Sequence, residues 1–122
     1  MYNIGTDIIE INRIRYLIDK YDSKFIDRIF SKDEIAYCKK KKDPSIHFAG
    51  KFSAKEAVKK ALSNKYSNIF FPFKKICINN NDKGRPFLTI DNFDSKWVDI
   101  SISHTNNHAI SFAILRTDDK SS

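Results

Sequence analysis

The sequence predicts an α+β fold, with helices packed on an antiparallel sheet. Two observations predict it. Through residues 11–62, apolar side chains return at the three- and four-residue spacing of amphipathic helices. From residue 76 onward they alternate with polar ones, and turn residues separate the runs. Helices first and paired strands later is the order of α+β proteins. The 122 residues suit one unit of about 100–150 residues, expected over 1–116 with a frayed polar tail at 117–122.

The elements follow in order. Residues 3–9, NIGTDII, are short and β-branched, and read as a strand. Ile11, Ile14, Leu17, Ile18 and Tyr21 then recur at helical spacing, which predicts a helix over Glu10–Lys20. A shorter helical stretch falls at Ser23–Phe30. Ser31-Lys32-Asp33-Glu34 has the form of a capping box, so a helix begins at Lys32 and ends in the lysine run 39–42. Asp43-Pro44 starts the longest helix, with Asp as N-cap and Pro in the first turn, reaching to about Asn64. Ile76 and Ile78 lead into a turn at 79–84, and Phe87–Ile90 is the returning strand. Val98–Ser103 and Ile110–Leu115 form a hairpin about the turn 105–107.

Composition excludes several classes. Three Gly and three Pro among 16 aromatics rule out wholesale disorder and collagen-like repeats. No apolar run approaches the ~20 residues of a membrane span. Asp7 and Glu10 stand where a secretion signal needs basic and then apolar residues, so none is read. Cys38 and Cys77 form no CxxC and match no zinc spacing; they read as free thiols in a reducing compartment, which points to the cytoplasm.

The net charge of +7 is unevenly placed. Residues 1–30 balance, whereas residues 31–65 carry ten lysines against four acids. Such a segment attracts anions: nucleic acid, an acidic protein or a phosphate-rich small molecule. A basic-patch nucleic-acid module is the alternative on charge alone, but no RNP pattern, zinc-finger spacing or helix-turn-helix signature accompanies it.

Four groups of residues have chemistry to offer. Asp7 lies inside an apolar strand and needs a cation, a proton or a capping role. Glu56 is the one acid on the long helix, among Lys51, Lys55, Lys59, Lys60 and Lys65. A surface pair with Lys60 at i+4 explains it cheaply. A magnesium–phosphate site explains it too, with the carboxylate on the cation and lysines facing phosphate oxygens. Ser101–Thr105 ends a strand with hydroxyls and His104, groups that donate to phosphate. Gly84-Arg85-Pro86 is a turn. No Walker lysine motif or GxGxxG is present, which excludes the common nucleotide folds.

The order of these pieces resembles one family. Ile4-Gly5-Thr6-Asp7-Ile8-Ile9-Glu10-Ile11-Asn12-Arg13 is similar to the opening I-G-x-D-[IL]-x-x-[IVL]-x-R of the small 4′-phosphopantetheinyl transferases, the holo-acyl-carrier-protein synthases. Phe48–Ala61 resembles their F-x-[AG]-[KR]-[FW]-[AS]-x-K-E-A-x-x-K-A helix. Gly84-Arg85-Pro86 resembles their G-[KR]-P turn, and Ser101–Thr105 their S-[IL]-[ST]-H-[TS] strand. The match covers about residues 2–116.

The resemblance implies the 4′-phosphopantetheinyl transferase fold and a reaction. Coenzyme A gives its phosphopantetheine arm to a serine of apo-acyl carrier protein, and adenosine 3′,5′-bisphosphate leaves. It implies that Asp7 and Glu56 bind Mg²⁺. Lys60 faces the pyrophosphate, and Pro86, His104 and Thr105 contact coenzyme A. It leaves the base open among Glu56, Asp7 and a water. Arg13, Lys20 and Lys24 become contacts for the acidic carrier, and the assembly becomes a homotrimer with sites shared between subunits. Two departures stand out. Ser63 follows Ala61-Leu62 where the family turns on Gly. Lys51 replaces an Arg common in the family, and a lysine cannot hold a phosphate bidentately.

Overall fold

The computed structural model describes residues 1–63 and 65–117. The chain runs β1 (Tyr2–Glu10), α1 (Ile11–Tyr21), α2 (Ser23–Ile29), α3 (Lys32–Lys39), α4 (Pro44–Ser63), β2 (Ile76–Asn80), β3 (Pro86–Ile90), β4 (Val98–His104) and β5 (His108–Arg116). Single 3₁₀ turns precede β2 and β4. Strands β1, β5 and β4 form one antiparallel sheet in that order, and β2 and β3 form a separate hairpin. The α+β expectation holds, with the strands divided between two sheets.

Most boundaries fall where the sequence places them. The capping box forms as drawn: Ser31 Oγ accepts from the Glu34 amide, and Glu34 Oε1 accepts from the Ser31 amide. Asp43, expected as an N-cap, also reaches sideways and accepts from Arg15 Nη2 at 2.9 Å, tying α1 to the start of α4. Helix α3 ends at Lys39, in the lysine run as expected. Two differences have local causes. Asn79 and Asn80 belong to β2 rather than to the turn, because they pair with Phe87 and Pro86. Thr117, expected to fray, is held: its amide donates to Met1 O at 2.9 Å, and the Met1 ammonium donates back to Thr117 O at 3.0 Å. Asn64 and residues 118–122 lie outside the described residues.

The interior forms two clusters, one about each half of α4. Ala54, Val58, Ala61 and Leu62 pack against Ile76, Ile78, Leu88, Ile90, Val98 and Leu115. Phe48 and Ala49 pack against Ile11, Ile14, Ile26, Phe30 and Cys38. Helix α4 is thus apolar on several sides, as a central helix must be.

A fully buried ion pair joins the clusters. Lys55 Nζ donates to Glu34 Oε1 at 2.7 Å, to Ile29 O at 2.8 Å and to Phe73 O at 2.9 Å. Glu34 Oε2 accepts from the Ile78 amide at 2.8 Å. All three ammonium protons and both carboxylate oxygens are thereby used, the condition under which burying two charges is tolerable.

Candidate functional site

The site begins where β1 crosses α4. Gly5 allows the crossing: a Cβ there would meet Ala57 O and lie 2.7 Å from Ala61 N. On α4, Ser53, Ala57 and Ala61 recur every four residues and keep that face low. Ser53 Oγ donates to Asp7 O at 3.1 Å and fixes the strand lengthwise. Two turns further on, Lys60 Nζ donates to Thr6 O at 3.0 Å and approaches Asp7 Oδ1 at 3.4 Å.

This bears on the two readings of Glu56. The Lys60 ammonium turns across to β1 and Asp7 instead of closing an i+4 pair along the helix. The Asp7 side chain is 16% exposed, Lys60 is 55% exposed, and Glu56 is half-buried. Glu56 stands three residues after Ser53 and four before Lys60, on the flank of the crossing face. Among the described residues, no group of three or more His, Cys, Asp or Glu is arranged to hold a metal. Two carboxylates are nonetheless the oxygen donors that suit Mg²⁺, which takes its remaining ligands from substrate phosphates and water. The donor set therefore fits the ion.

A second component lies at the far end of β4. A cavity of about 210 Å³ is lined by Pro86, His104, His47, Lys51, Asn80 and Gly84, among others. It brings two of the sequence-predicted coenzyme A contacts, Pro86 and His104, to one place. Thr105 stands apart from that lining. Its Oγ1 accepts from the amides of Asn107 at 3.2 Å and His108 at 3.1 Å, holding the β4–β5 turn. Only its hydroxyl proton remains to be offered outward. Nδ1 of His104 lies 3.2 Å from Thr105 O, which leaves Nε2 to face elsewhere.

The lysines around Glu56 are not a common phosphate field, contrary to the sequence expectation. Lys55 is consumed by Glu34. Lys51, 4% exposed, donates to Ile78 O and to Asn80 Oδ1 at 2.7 Å, with its ammonium 4.5 Å from the Tyr37 ring centroid. Burial pulls the Lys51 and Lys55 amines below their ordinary value. Lys59 sits 4.0 Å over the Phe73 ring. Of the five, Lys60 is the one shown reaching Asp7. Taking Lys51 and Lys55 inside also thins the surface charge on which a nucleic-acid reading depends.

Lys51 has a different task. Asn80 accepts from it and donates through Nδ2 to Gly84 O at 3.0 Å. The turn bearing Pro86 is thus fixed from inside the molecule, a role that composition does not disclose.

The partner residues are partly gathered. Arg13 and Lys20 lie seven residues apart on α1 and are exposed. Arg13 borders a groove with Ile8, Glu10 and His108, next to Asp7 in the chain. Lys20 donates to Tyr16 Oη at 3.1 Å. Lys24 is exposed on α2. Arg15, on α1 with Arg13, is committed to Asp43.

The two components belong to opposite edges of the three-stranded sheet. Asp7 is on β1 and His104 on β4, with β5 between them. The outer face of that sheet shows Ile4, Ile8, Ile110 and Phe112, between 44% and 63% exposed. In the register, Ile8 faces Ile110 and Thr6 faces Phe112, so these side chains form one patch.

Comparison with known proteins agrees with the fold. A family model described as the 4′-phosphopantetheinyl transferase superfamily matches residues 3–113. The chain is 42% identical over 120 residues to a holo-[acyl-carrier-protein] synthase of Clostridium acetobutylicum, spanning 92% of this chain and 94% of that one. It is 42% identical over 116 residues to the synthase of Protochlamydia amoebophila, spanning 91% and 94%. Among solved structures it resembles the Bacillus anthracis synthase in complex with CoA (3′,5′-ADP). That match has a TM-score of 0.79 and 34% identity, covering 95% and 96% of the two chains. The Helicobacter pylori synthase in complex with coenzyme A matches at TM-score 0.78 and 32% identity, covering 93% and 99%.

Proposed function

The chain belongs to the 4′-phosphopantetheinyl transferase superfamily, and from that premise we propose that it is a holo-[acyl-carrier-protein] synthase. It moves the phosphopantetheine arm of coenzyme A to a serine of apo-acyl carrier protein and releases adenosine 3′,5′-bisphosphate. The observation that supports this reading is the β1–α4 crossing, which sets Asp7 beside Lys60, a residue one helical turn after Glu56 on α4.

The work asked of the protein is placement and charge neutralisation, since displacement at a phosphorus needs no covalent group from the enzyme. Asp7 and Glu56 would hold Mg²⁺, which would supply charge neutralisation to the donor's phosphates. Lys60 is half-exposed and free to swing from Thr6 O towards the leaving phosphate, where its charge offsets what develops there. Ser53 keeps Asp7 in register. Pro86, His104 and the Thr105 hydroxyl receive the nucleotide end of the donor. Arg13, Lys20 and Lys24 meet the acidic carrier and raise its encounter rate.

The assembly in this reading is a homotrimer. The two halves of the site stand on opposite sheet edges, so one donor is gripped by the Asp7 edge of one subunit and the His104 end of its neighbour. The apolar outer face of the β1–β5–β4 sheet supports this, since a patch of that kind marks an interface. No described helix is long and apolar enough to cross a membrane. Both cysteines are free, which supports action in the reducing cytoplasm, by one unit formed from residues 1–116.

The test is to weigh apo-acyl carrier protein after incubation with the protein, coenzyme A and Mg²⁺. The expected result is a gain of one phosphopantetheine arm that chelator prevents. Asp7→Ala and Glu56→Ala should each slow the gain by on the order of a hundred- to a thousandfold. No gain in the wild type, or undiminished transfer in both variants, refutes the reading.

A further inference from the structure

His47 has no part in the scheme so far, yet it faces the nucleotide cavity. It lies on α4 one turn before Lys51, half-buried, and borders the same cavity as His104 and Pro86. Its ring meets Tyr37 of α3 edge-on, with centroids 6.0 Å apart.

Positive charge lies in and beside the cavity, and that of its lining lysine is already committed. Lys51 and Lys41 lie 4.5 and 4.6 Å from the Tyr37 ring centroid. The Lys51 ammonium gives two protons to Ile78 O and Asn80 Oδ1 and faces an aromatic ring with the third. No carboxylate is among the residues that line the cavity. Asp43, the acid that acts on His47, is held by Arg15 at 2.9 Å. An anion entering here finds a favourable field, but the one lysine in the lining, Lys51, has no proton to spare. The imidazoles remain as donors.

The charges facing His47 come from each element around it: Lys41 after α3, Asp43 and Lys51 at α4, and His104 from β4. Burial, then Lys41, His104 and Lys51, hold its basicity below the ordinary 6.5, with Asp43 opposing. Protonation of the ring is therefore disfavoured in the empty protein. A phosphate dianion at hydrogen-bond distance reverses the local balance and favours imidazolium.

We propose that His47 is a further donor-binding residue, whose imidazole takes a proton from solvent as the 3′-phosphate of coenzyme A enters the cavity and then donates to that phosphate. This rests on the coenzyme A reading above. It makes donor affinity fall as pH rises between the free and bound titration points of His47, by at most about tenfold per pH unit for one linked proton.

The experiment is calorimetric titration of the full chain with coenzyme A and with 3′-dephospho-coenzyme A near pH 7, in buffers of different ionisation enthalpy. In parallel, the His47 ring is followed by NMR against pH with and without ligand. Expected are proton uptake with coenzyme A, less uptake and weaker binding with the dephospho form, and an upward move of the His47 titration on binding. In His47→Gln, uptake should fall and the affinities for the two ligands should converge. The ring titration in the wild-type protein decides the matter even if the variant folds poorly. Coenzyme A binding that leaves the His47 titration unmoved, or that is indifferent to the 3′-phosphate, overturns the inference while the transferase reading stands. Failure of coenzyme A to bind at all overturns both.

Discussion

Gly5 shows how one missing side chain places a site. No positive φ explains it; the reason is the backbone of α4 pressed against it. Gly5→Ala must push β1 off the helix and carry Asp7 away from Lys60 and Glu56. The expected cost is about 3 kcal/mol of stability, with transfer activity falling further than stability alone explains. Urea unfolding and the carrier mass assay, run on the same preparation, would show it. Cys38 gives a second residue-scale outcome. Burial pushes its thiol from 9.0 up to about 12, against the pull of Lys51. The folded state therefore keeps a proton that the unfolded chain sheds above pH 9. Stability is full below that point and declines as pH rises towards 12, by at most about 1.4 kcal/mol per unit from this group. Urea midpoints at pH 7 and 8.5 should nearly agree, the midpoint at pH 10 should be lower, and Cys38→Ala should flatten that decline. It should not abolish it, because the Cys77 thiol is raised too.

Between elements, the Lys55–Glu34 pair is the joint on which α3, α4 and β2 meet. Lys55→Met leaves a buried carboxylate without its cation, and about 3–5 kcal/mol of stability should be lost. Glu34→Gln should cost less, because an amide oxygen can still accept from a backbone N–H. Denaturant unfolding of the two variants ranks them, and the reverse order would contradict this account. This is also where the sequence was least readable. The capping box at Ser31 and Glu34 was legible, because it is local and its spacing is fixed by helix geometry. That Glu34 also reaches Lys55 and the Ile78 amide was not, since those partners are 21 and 44 residues away. The strands of β4 and β5 were legible from alternation alone. Asn79 and Asn80 were misplaced because Asn favours turns in general, whereas here cross-strand pairing outweighs that preference. Asp7, Glu56 and Lys60 could be named from motif spacing. His47 could not, because what points to it is a cavity formed by α3, α4 and β4 together.

At the scale of the molecule, an apolar sheet face and a divided site make the same demand. Ile4→Asp or Phe112→Asp adds a charge to that face and touches no core residue, since both side chains are largely exposed. The expected outcome by light scattering is monomers in place of trimers, with transfer lost and the circular dichroism unchanged. Active monomers would refute the shared site. Arg13→Glu should leave assembly intact and raise KM for the carrier most at low salt, where charge steering is strongest.

Drawing Lys51 and Lys55 into the interior has a practical consequence for anyone mapping this protein chemically. Amine-directed acylating reagents should modify Lys60 and the exposed Lys39, Lys40 and Lys42 early and spare these two until the chain unfolds. A time course of lysine acylation read by mass spectrometry would then report global opening directly. Any mapping of the carrier's footprint by reagent protection has to discount two silent positions that were never within a partner's reach.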